Sequence, residues 1–338
     1  MGMLDEIREQ PDVIERTLSV NKSTAFEASA LLGESSHCVI AARGTSDNAA
    51  RYAQYVWGTR NGVSVGLTTP SLFSVYDRPP SLAGALVVGI SQSGQSPDIV
   101  SVLAEGRRQN CPTVAITNDT QSPLADVADV VLDLSAGKET AVAATKTYTA
   151  QLALIALVSD ANNGGQAIGD VPQAVRSVLS ADESAAVAAA HFAGMEHCAV
   201  LGRGFHQSTA FEWALKLQEL TYVVAQPFST ADFLHGPIAV LESDYPVLAV
   251  TSSGPATSDV MAVLQRCSDL GADLLTLTAQ DEVAALSAYT VPTATTLDEW
   301  LDPIASIVAG QLFAYHLAVA KGLDPERPRG LRKITRTT

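Results

Sequence analysis

The chain has 338 residues, 47% hydrophobic and 17% charged, which is enough for two domains with sizeable cores. Its 21 basic and 36 acidic side chains leave a formal charge of −15. That balance argues against a nucleic-acid surface and fits a cytoplasmic enzyme. It also repels anions at long range, so a phosphate site here must rely on local dipoles and hydroxyls. The charged N-terminus lacks an apolar leader segment. The longest apolar run, Leu152 to Val158, is too short to span a bilayer, so no membrane partner is expected. Cys38, Cys111, Cys198 and Cys267 form no CxxC pair and read as reduced core residues, with no structural zinc.

In chain order, Met3 to Leu18 reads as a charged helix interrupted near Pro11, and Phe26 to Leu32 as a second helical stretch, giving a helical segment over 1–32. Short β-branched runs follow at Cys38–Ala42, Val63–Leu67, Ala85–Ile90, Thr113–Thr117 and Val130–Leu134. Helical stretches separate them at Asn48–Thr59, Pro97–Gln109 and Pro123–Ala128. Alternation of this kind predicts a parallel sheet covered on both faces, an α/β unit spanning 33–160 and closed by an apolar helix over Thr145–Asp160. Residues 161–185 read as a linker and helix, with turn residues Ala161 to Gly165 and an Ala-rich helix from Pro172 to Ala190. A second unit occupies 186–321 and ends in a helix over Asp302–Lys321. The tail, 322–338, is basic and irregular and is expected to lie over the active site.

The two units share a register. His37-Cys38-Val39-Ile40-Ala41-Ala42-Arg43-Gly44 returns as His197-Cys198-Ala199-Val200-Leu201-Gly202-Arg203-Gly204, at an offset of 160 residues. The same offset carries Ser91-Gln92-Ser93-Gly94 onto Thr251-Ser252-Ser253-Gly254. The first copy continues Gln95-Ser96, the second Pro255-Ala256. One copy is therefore expected to bind an anion and the other to have drifted.

The first of these turns follows a strand and precedes a helix. Ser96 suits the N-cap, Pro97 the first helical turn and Asp98 the positive end of the helix. Backbone N–H groups converging at a helix start, with three serine hydroxyls, suit a phosphomonoester. Gly44-Thr45-Ser46 is a second hydroxyl-bearing turn after a strand, and such turns gather at the carboxyl ends of parallel strands.

These residues resemble the sugar isomerase (SIS) family. The chain is especially similar to the isomerase half of glutamine–fructose-6-phosphate aminotransferases and to the type II glucosamine-6-phosphate deaminases. The matching stretches are Gly44-Thr45-Ser46, Ser91 to Gly94, Glu139 to Thr147, Ala214 to Leu220, His235-Gly236-Pro237 and Pro328 to Lys333, in order over nearly the whole chain. The resemblance implies two tandem SIS domains, each a Rossmann-like five-stranded parallel sheet flanked by helices, followed by the C-terminal tail. It implies substrate and phosphate contacts from Thr45, Ser46, Ser91, Gln92, Ser93 and Ser96. It also implies sugar contacts along a segment holding Val142 and Ala144, where the family's usual serine is Ala144.

Lys216 and Glu219 are three residues apart, so on a helix they share a face. The resemblance implies that Glu219 is the isomerising base, moving a proton between C1 and C2, with Lys216 as its cationic neighbour. A histidine before Gly-Pro suits acid/base work near neutrality. The resemblance makes His235 the ring opener, supplied across the interface of a homodimer. It makes Lys333 a Schiff-base former with a ketose carbonyl. Two places depart from the synthase pattern: Ala231-Asp232-Phe233-Leu234 before His235, and Gln218 in place of a lysine.

No glutaminase module precedes the isomerase-like sequence, so the expected reaction runs toward ammonia release. Glucosamine 6-phosphate would become fructose 6-phosphate and ammonia without metal or redox cofactor. The substrate class is a hexose or hexosamine 6-phosphate. Ammonia-dependent synthesis and a fructosamine-6-phosphate deglycase are related alternatives. A non-catalytic sugar-phosphate-binding regulator is the alternative from another class, disfavoured by the presence of Glu219 and Lys333 and by the lack of room for a helix-turn-helix.

Overall fold

The β-branched runs become parallel strands. In the first sheet β1 (His37–Ala41), β2 (Val65–Leu67), β3 (Ala85–Ile90), β4 (Thr113–Thr117) and β5 (Val130–Asp133) lie in the order β2-β1-β3-β4-β5. Every pairing is parallel. Central β3 is buried at each residue, as a strand covered on both faces must be. The computed structural model describes residues 2–294 and 296–333. Arg336 and the rest of the tail beyond Lys333 lie outside them.

This sheet belongs to a compact unit made of Asp12–Glu139, Lys146–Gly169 and the chain from Arg332. Helix Pro97–Arg108 lies on β3, and glycine sets how closely. A Cβ at Gly89 would stand 2.6 Å from Leu103 Cδ1 and 2.9 Å from Leu124 Cδ1. Helices Thr45–Asn61 and Lys146–Asp160 pack together, and the indole N–H of Trp57 donates to the Ile155 carbonyl at 3.1 Å.

The second unit comprises the chain up to Pro11, Thr140–Thr145 and Asp170–Leu331. Its strands are β6 (His197–Gly202), β7 (Val224–Ser229), β8 (Pro246–Val250), β9 (Asp273–Thr278) and β10 (Tyr289–Pro292), in the order β10-β9-β8-β6-β7. Read from β7, this is the winding of the first sheet, and again every pairing is parallel. The repeat seen in the sequence is thus a repeat of topology. The core helix, Asp302–Ala320, packs on helices His206–Thr221 and Asp182–His191. The rings of Trp213 and Phe313 meet edge to face at 5.7 Å.

Several boundaries differ from the sequence expectations. The first helix ends at Arg8 and a second runs Gln10–Val20, with Pro11 in its opening turn, where no N–H is needed. The Ala-rich helix is two, Val171–Val178 and Asp182–His191, joined by a 3-10 turn. Thr45 and Ser46 belong to the first turn of a helix, not to a loop, because Gly44 at φ +52° turns the chain into it. Leu152–Val158 is not the longest apolar stretch. The 19-residue helix Asp302–Ala320 has a mean hydropathy of 1.4 and is long and apolar enough to cross a bilayer, but 78% of that stretch is buried inside the fold.

Gly89→Val drives two methyl groups into Leu103 and Leu124. Overpacking of this kind should cost about 1–3 kcal/mol, read as a lower urea midpoint.

Candidate active site

In the first unit the strand order reverses between β1 and β3, so their following connections lie side by side at the carboxyl edge of the sheet. Both connections lead into helices, at Thr45 and at Pro97. The serine turn is tightly held. Ser91 N–H donates to the Ile116 carbonyl at 3.1 Å, and the Gln92 carbonyl accepts from Asn118 N–H at 3.0 Å. Gly94 sits at φ +61° against Ser122, and a Cβ there would overlap the Ser122 hydroxyl. Its N–H donates to Ser91 Oγ at 3.2 Å, and the N–H of Gln95 to Ser93 Oγ at 3.3 Å.

Ser96 occupies the N-cap position as expected, but its hydroxyl makes no capping bond. Asp98 does more than favour the helix start. It is buried, and Arg43 Nε donates to its Oδ2 at 2.9 Å, tying the end of β1 to the helix after β3. Ser46 is buried and accepts from Gln151 Nε2 at 3.0 Å, which orients its hydroxyl. Thr45, Ser46, Ser91, Gln92, Ser93 and Ser96 therefore all lie on the two adjacent connections after β1 and β3.

Lys333 belongs to the same unit. Its Nζ donates to Glu139 Oε2 at 2.5 Å. Glu139 is buried and also accepts from Thr147 N–H at 3.1 Å and Thr147 Oγ1 at 2.8 Å. Glu139 opens the family-like stretch Glu139 to Thr147, and its burial is what the motif alone does not reveal.

The second unit holds Lys216, Glu219, His235, Val142 and Ala144. Helix His206–Thr221 puts Lys216 wholly inside the protein, at 0% exposure, with Nζ 2.5 Å from Glu219 Oε2 and 3.3 Å from Glu212 Oε1. Burial works against the ammonium. The charges of Glu212 and Glu219 and their hydrogen bonds outweigh it and hold the lysine above its ordinary pKa. Glu212 is a further member of the cluster, and its i, i+4 spacing from Lys216 is the one signal of it in the sequence. Glu219 alone of the three reaches toward solvent, with 23% of its side chain accessible. One carboxylate is thus locked in the interior and the other is presented outward, with one cation between them.

His235 caps the short helix Thr230–Leu234 and is exposed. It lines a cleft of ≈ 360 Å³ with Arg203, Arg266, Asp259 and Thr230. Gln218 Nε2 donates to the Ala225 carbonyl at 2.6 Å, a structural use of the position where the synthase has lysine. Helix His206–Thr221 ends on Tyr222 at φ +60°, whose hydroxyl accepts from Arg329 N–H at 2.8 Å while the guanidinium stacks 4.0 Å over the ring. That clasp holds the tail at Arg329.

The second copy of the serine turn has indeed diverged. A Cβ at Gly254 would overlap the carboxylate of Glu299, so an acidic side chain sits against the glycine. Burial pushes the Glu299 carboxyl upward, opposed by His206 and reinforced by Asp302. His206 itself is buried, with Nε2 2.8 Å from Ser252 Oγ and 3.2 Å from Asp302 Oδ2. Among the described residues no His, Cys, Asp and Glu side chains group as a metal site.

The model of the SIS domain matches residues 31–159 and 191–321. The isomerizing glutamine–fructose-6-phosphate aminotransferase of Gloeobacter violaceus is 32% identical over 352 residues, covering 98% of this chain and 58% of that protein. Its namesake in Halobacterium salinarum is 33% identical over 355 residues, with coverages of 98% and 58%. The chain thus spans less than two thirds of the length of these curated relatives. Among solved structures, the C-terminal domain of glucosamine-fructose-6-phosphate aminotransferase from Francisella tularensis superposes with a TM-score of 0.87 at 27% identity, over 96% of this chain and 98% of that one. Glucosamine-6-phosphate deaminase from Thermotoga maritima gives 0.77 at 19% identity over 99% of each chain, a likeness of fold.

Lys216→Met leaves the interior carboxylate of Glu212 without its cation. It should destabilise the protein by about 3–5 kcal/mol, and Glu212→Gln in the same chain should restore part of that loss, both read by chemical denaturation. Because the folded pKa of Lys216 lies above the unfolded value of 10.5, its contribution is complete below that pH and lost only as pH rises through the folded value. The contribution of Lys216 to stability should therefore be flat between about pH 6 and 9.

Proposed function

The chain belongs to the SIS domain family, and on that premise we propose that it is a sugar-phosphate isomerase acting on a hexosamine 6-phosphate. The reaction we assign is conversion of glucosamine 6-phosphate and water to fructose 6-phosphate and ammonia. The observation that carries this reading is the triad of Glu212, Lys216 and Glu219, a cation buried between an interior carboxylate and one facing outward. An isolated structural salt bridge gains little from such burial. A base required to take and return a proton beside a developing negative charge needs this arrangement.

In this reading the serine turn and the helix starts at Thr45 and Pro97 hold the phosphoryl group through hydroxyls and backbone N–H groups. His235, contributed by a neighbouring subunit of a homodimer, takes the proton of the C1 hydroxyl and delivers it to the ring oxygen, which breaks the C1–O5 bond and frees the C1 aldehyde. Glu219 then removes the proton from C2, giving an enolamine whose C1 oxygen is balanced by the Lys216 ammonium. The same carboxyl returns the proton to C1, leaving a C2 imine. Lys333 takes C2 from ammonia as a Schiff base, and water releases the ketone. For that step Lys333 must give up a proton, and Glu139 accepts a hydrogen bond from its Nζ at 2.5 Å.

The reverse direction, ammonia-dependent synthesis, is the second reading. It is favoured by the names of the relatives, which are aminotransferases. Both directions use the same residues and the same intermediates.

Incubation of the purified protein with glucosamine 6-phosphate should release ammonia and fructose 6-phosphate in equal amounts. Binding without either product would leave a sugar-phosphate sensor. Glu219→Gln should lower kcat by roughly 10²–10⁴-fold while leaving affinity for the sugar phosphate nearly unchanged; undiminished turnover would remove Glu219 from its role. Borohydride added with fructose 6-phosphate should trap a covalent adduct on Lys333, seen by peptide mass. Lys333→Arg, which keeps the charge beside Glu139, should give none.

A further inference from the structure

The N-terminal helix Met3–Arg8 buries Met3 and Ile7, as a packing helix should, and with them Glu6 at 0% exposure. Nothing in the reaction assigned above uses Glu6. Its carboxylate is nevertheless fully engaged. Oε1 accepts from Thr140 N–H at 2.5 Å and from Thr140 Oγ1 at 2.8 Å, and Oε2 accepts from Ala141 N–H at 3.1 Å. All three donors belong to the loop Thr140–Thr145, which lies in the same unit as Glu6.

The far end of that loop is held in the same manner. Gln10, the first residue of the next helix, donates from Nε2 to Gln311 Oε1 at 2.8 Å, and Gln311 Nε2 reaches the Thr145 carbonyl at 3.5 Å. Gln10 and Gln311 are buried as well. A contact made only for packing would be served better by leucine, because a carboxylate withdrawn from water is costly unless donors replace its hydration. Here the donors are the backbone and hydroxyl of one short loop. The arrangement fixes the path of that loop at both ends, and between the two anchors stand Val142 and Ala144.

We propose that Glu6 is a positioning residue for the sugar: by clamping Thr140 and Ala141 it fixes the loop whose backbone at Val142 and Ala144 meets the sugar hydroxyls. The inference rests on the function proposed above and on the sugar contacts that the family resemblance implies along the segment holding Val142 and Ala144. The replacement of the family's serine by Ala144 gives the clamp more weight, since the loop then offers the sugar its main chain rather than a side-chain hydroxyl. Main-chain donors are useful only when held in place.

The test separates the two ends of the ligand. Wild type, Glu6→Gln and Glu6→Ala are titrated calorimetrically with glucosamine 6-phosphate and with inorganic phosphate. Glu6→Ala should weaken the sugar phosphate roughly tenfold, the cost of about one well-placed hydrogen bond to a charged group, while inorganic phosphate changes less than twofold. Glu6→Gln keeps an acceptor for Thr140 and should fall between. In turnover, KM should rise more than kcat falls. Equal losses for both ligands, or none for either, overturn the proposal.

Hydrogen exchange at the amides of Thr140 and Ala141, measured without ligand, should quicken in Glu6→Ala; unchanged exchange overturns the clamp whatever the reaction proves to be. If Glu6→Ala fails to fold, Thr140→Val removes one of the three bonds from the loop side and should raise KM by a smaller factor, with an unchanged KM counting against the proposal. Wild-type protein that binds the sugar phosphate but does not turn it over would defeat the assigned reaction and leave the binding comparison to decide Glu6.

Discussion

A parallel sheet whose strand order reverses in the middle cannot cover its carboxyl edge evenly. At the reversal the connection after one strand leaves toward one face and that after its neighbour toward the other, and a crevice opens between them. Both sheets here are wound this way, with the reversal between β1 and β3 in the first and between β6 and β8 in the second. In the first sheet that geometry gathers Thr45, Ser46 and the serines of 91–96 without any long-range specificity in their sequence. The Arg43–Asp98 bridge then joins the two connections across the reversal. The second sheet repeats the tie with Arg203 and Asp259, 3.4 Å apart. The constraint is topological first, and the side chains exploit what it leaves open.

The protein places charge in its interior sparingly and with a clear division of labour. Glu6, Glu139 and Glu212 are all buried, and each is satisfied differently: by a loop backbone and hydroxyl, by a threonine with a tail lysine, and by an internal lysine. None is a packing residue. Each fixes a segment or a cation that has no reason of its own to stay in place. The apolar cores around them supply rigidity, and the buried carboxylates convert it into position. A carboxylate exposed to water would hold its partners too loosely to do so.

Much of this was legible in the sequence. The strands were visible as β-branched runs because a sheet buried on both faces tolerates little else, and the offset of 160 residues announced the duplicated topology. Lys216, Glu219 and the serine turn were recognisable from spacing and from family resemblance. What could not be read is what depends on distance along the chain. Glu6 lies 134 residues from Thr140, and Glu139 lies 194 from Lys333. No periodicity encodes such pairs. Nor could the start of the helix at Thr45 be read from propensity, because it depends on the positive φ of Gly44. Nor does composition show that the chain up to Pro11 and Thr140–Thr145 cluster with the second unit rather than the first.

The seat taken by Glu299 beside Gly254 means that the two halves of the duplication can no longer be exchanged. Grafting Ser91–Ser96 onto positions 251–256 would rebuild the hydroxyls and the glycine, yet it would meet an acid lodged against that glycine. Symmetry of the scaffold therefore does not extend to the side chains around the two turns. The doubling persists in the winding of the strands, while at this turn a single glutamate sets the two copies apart.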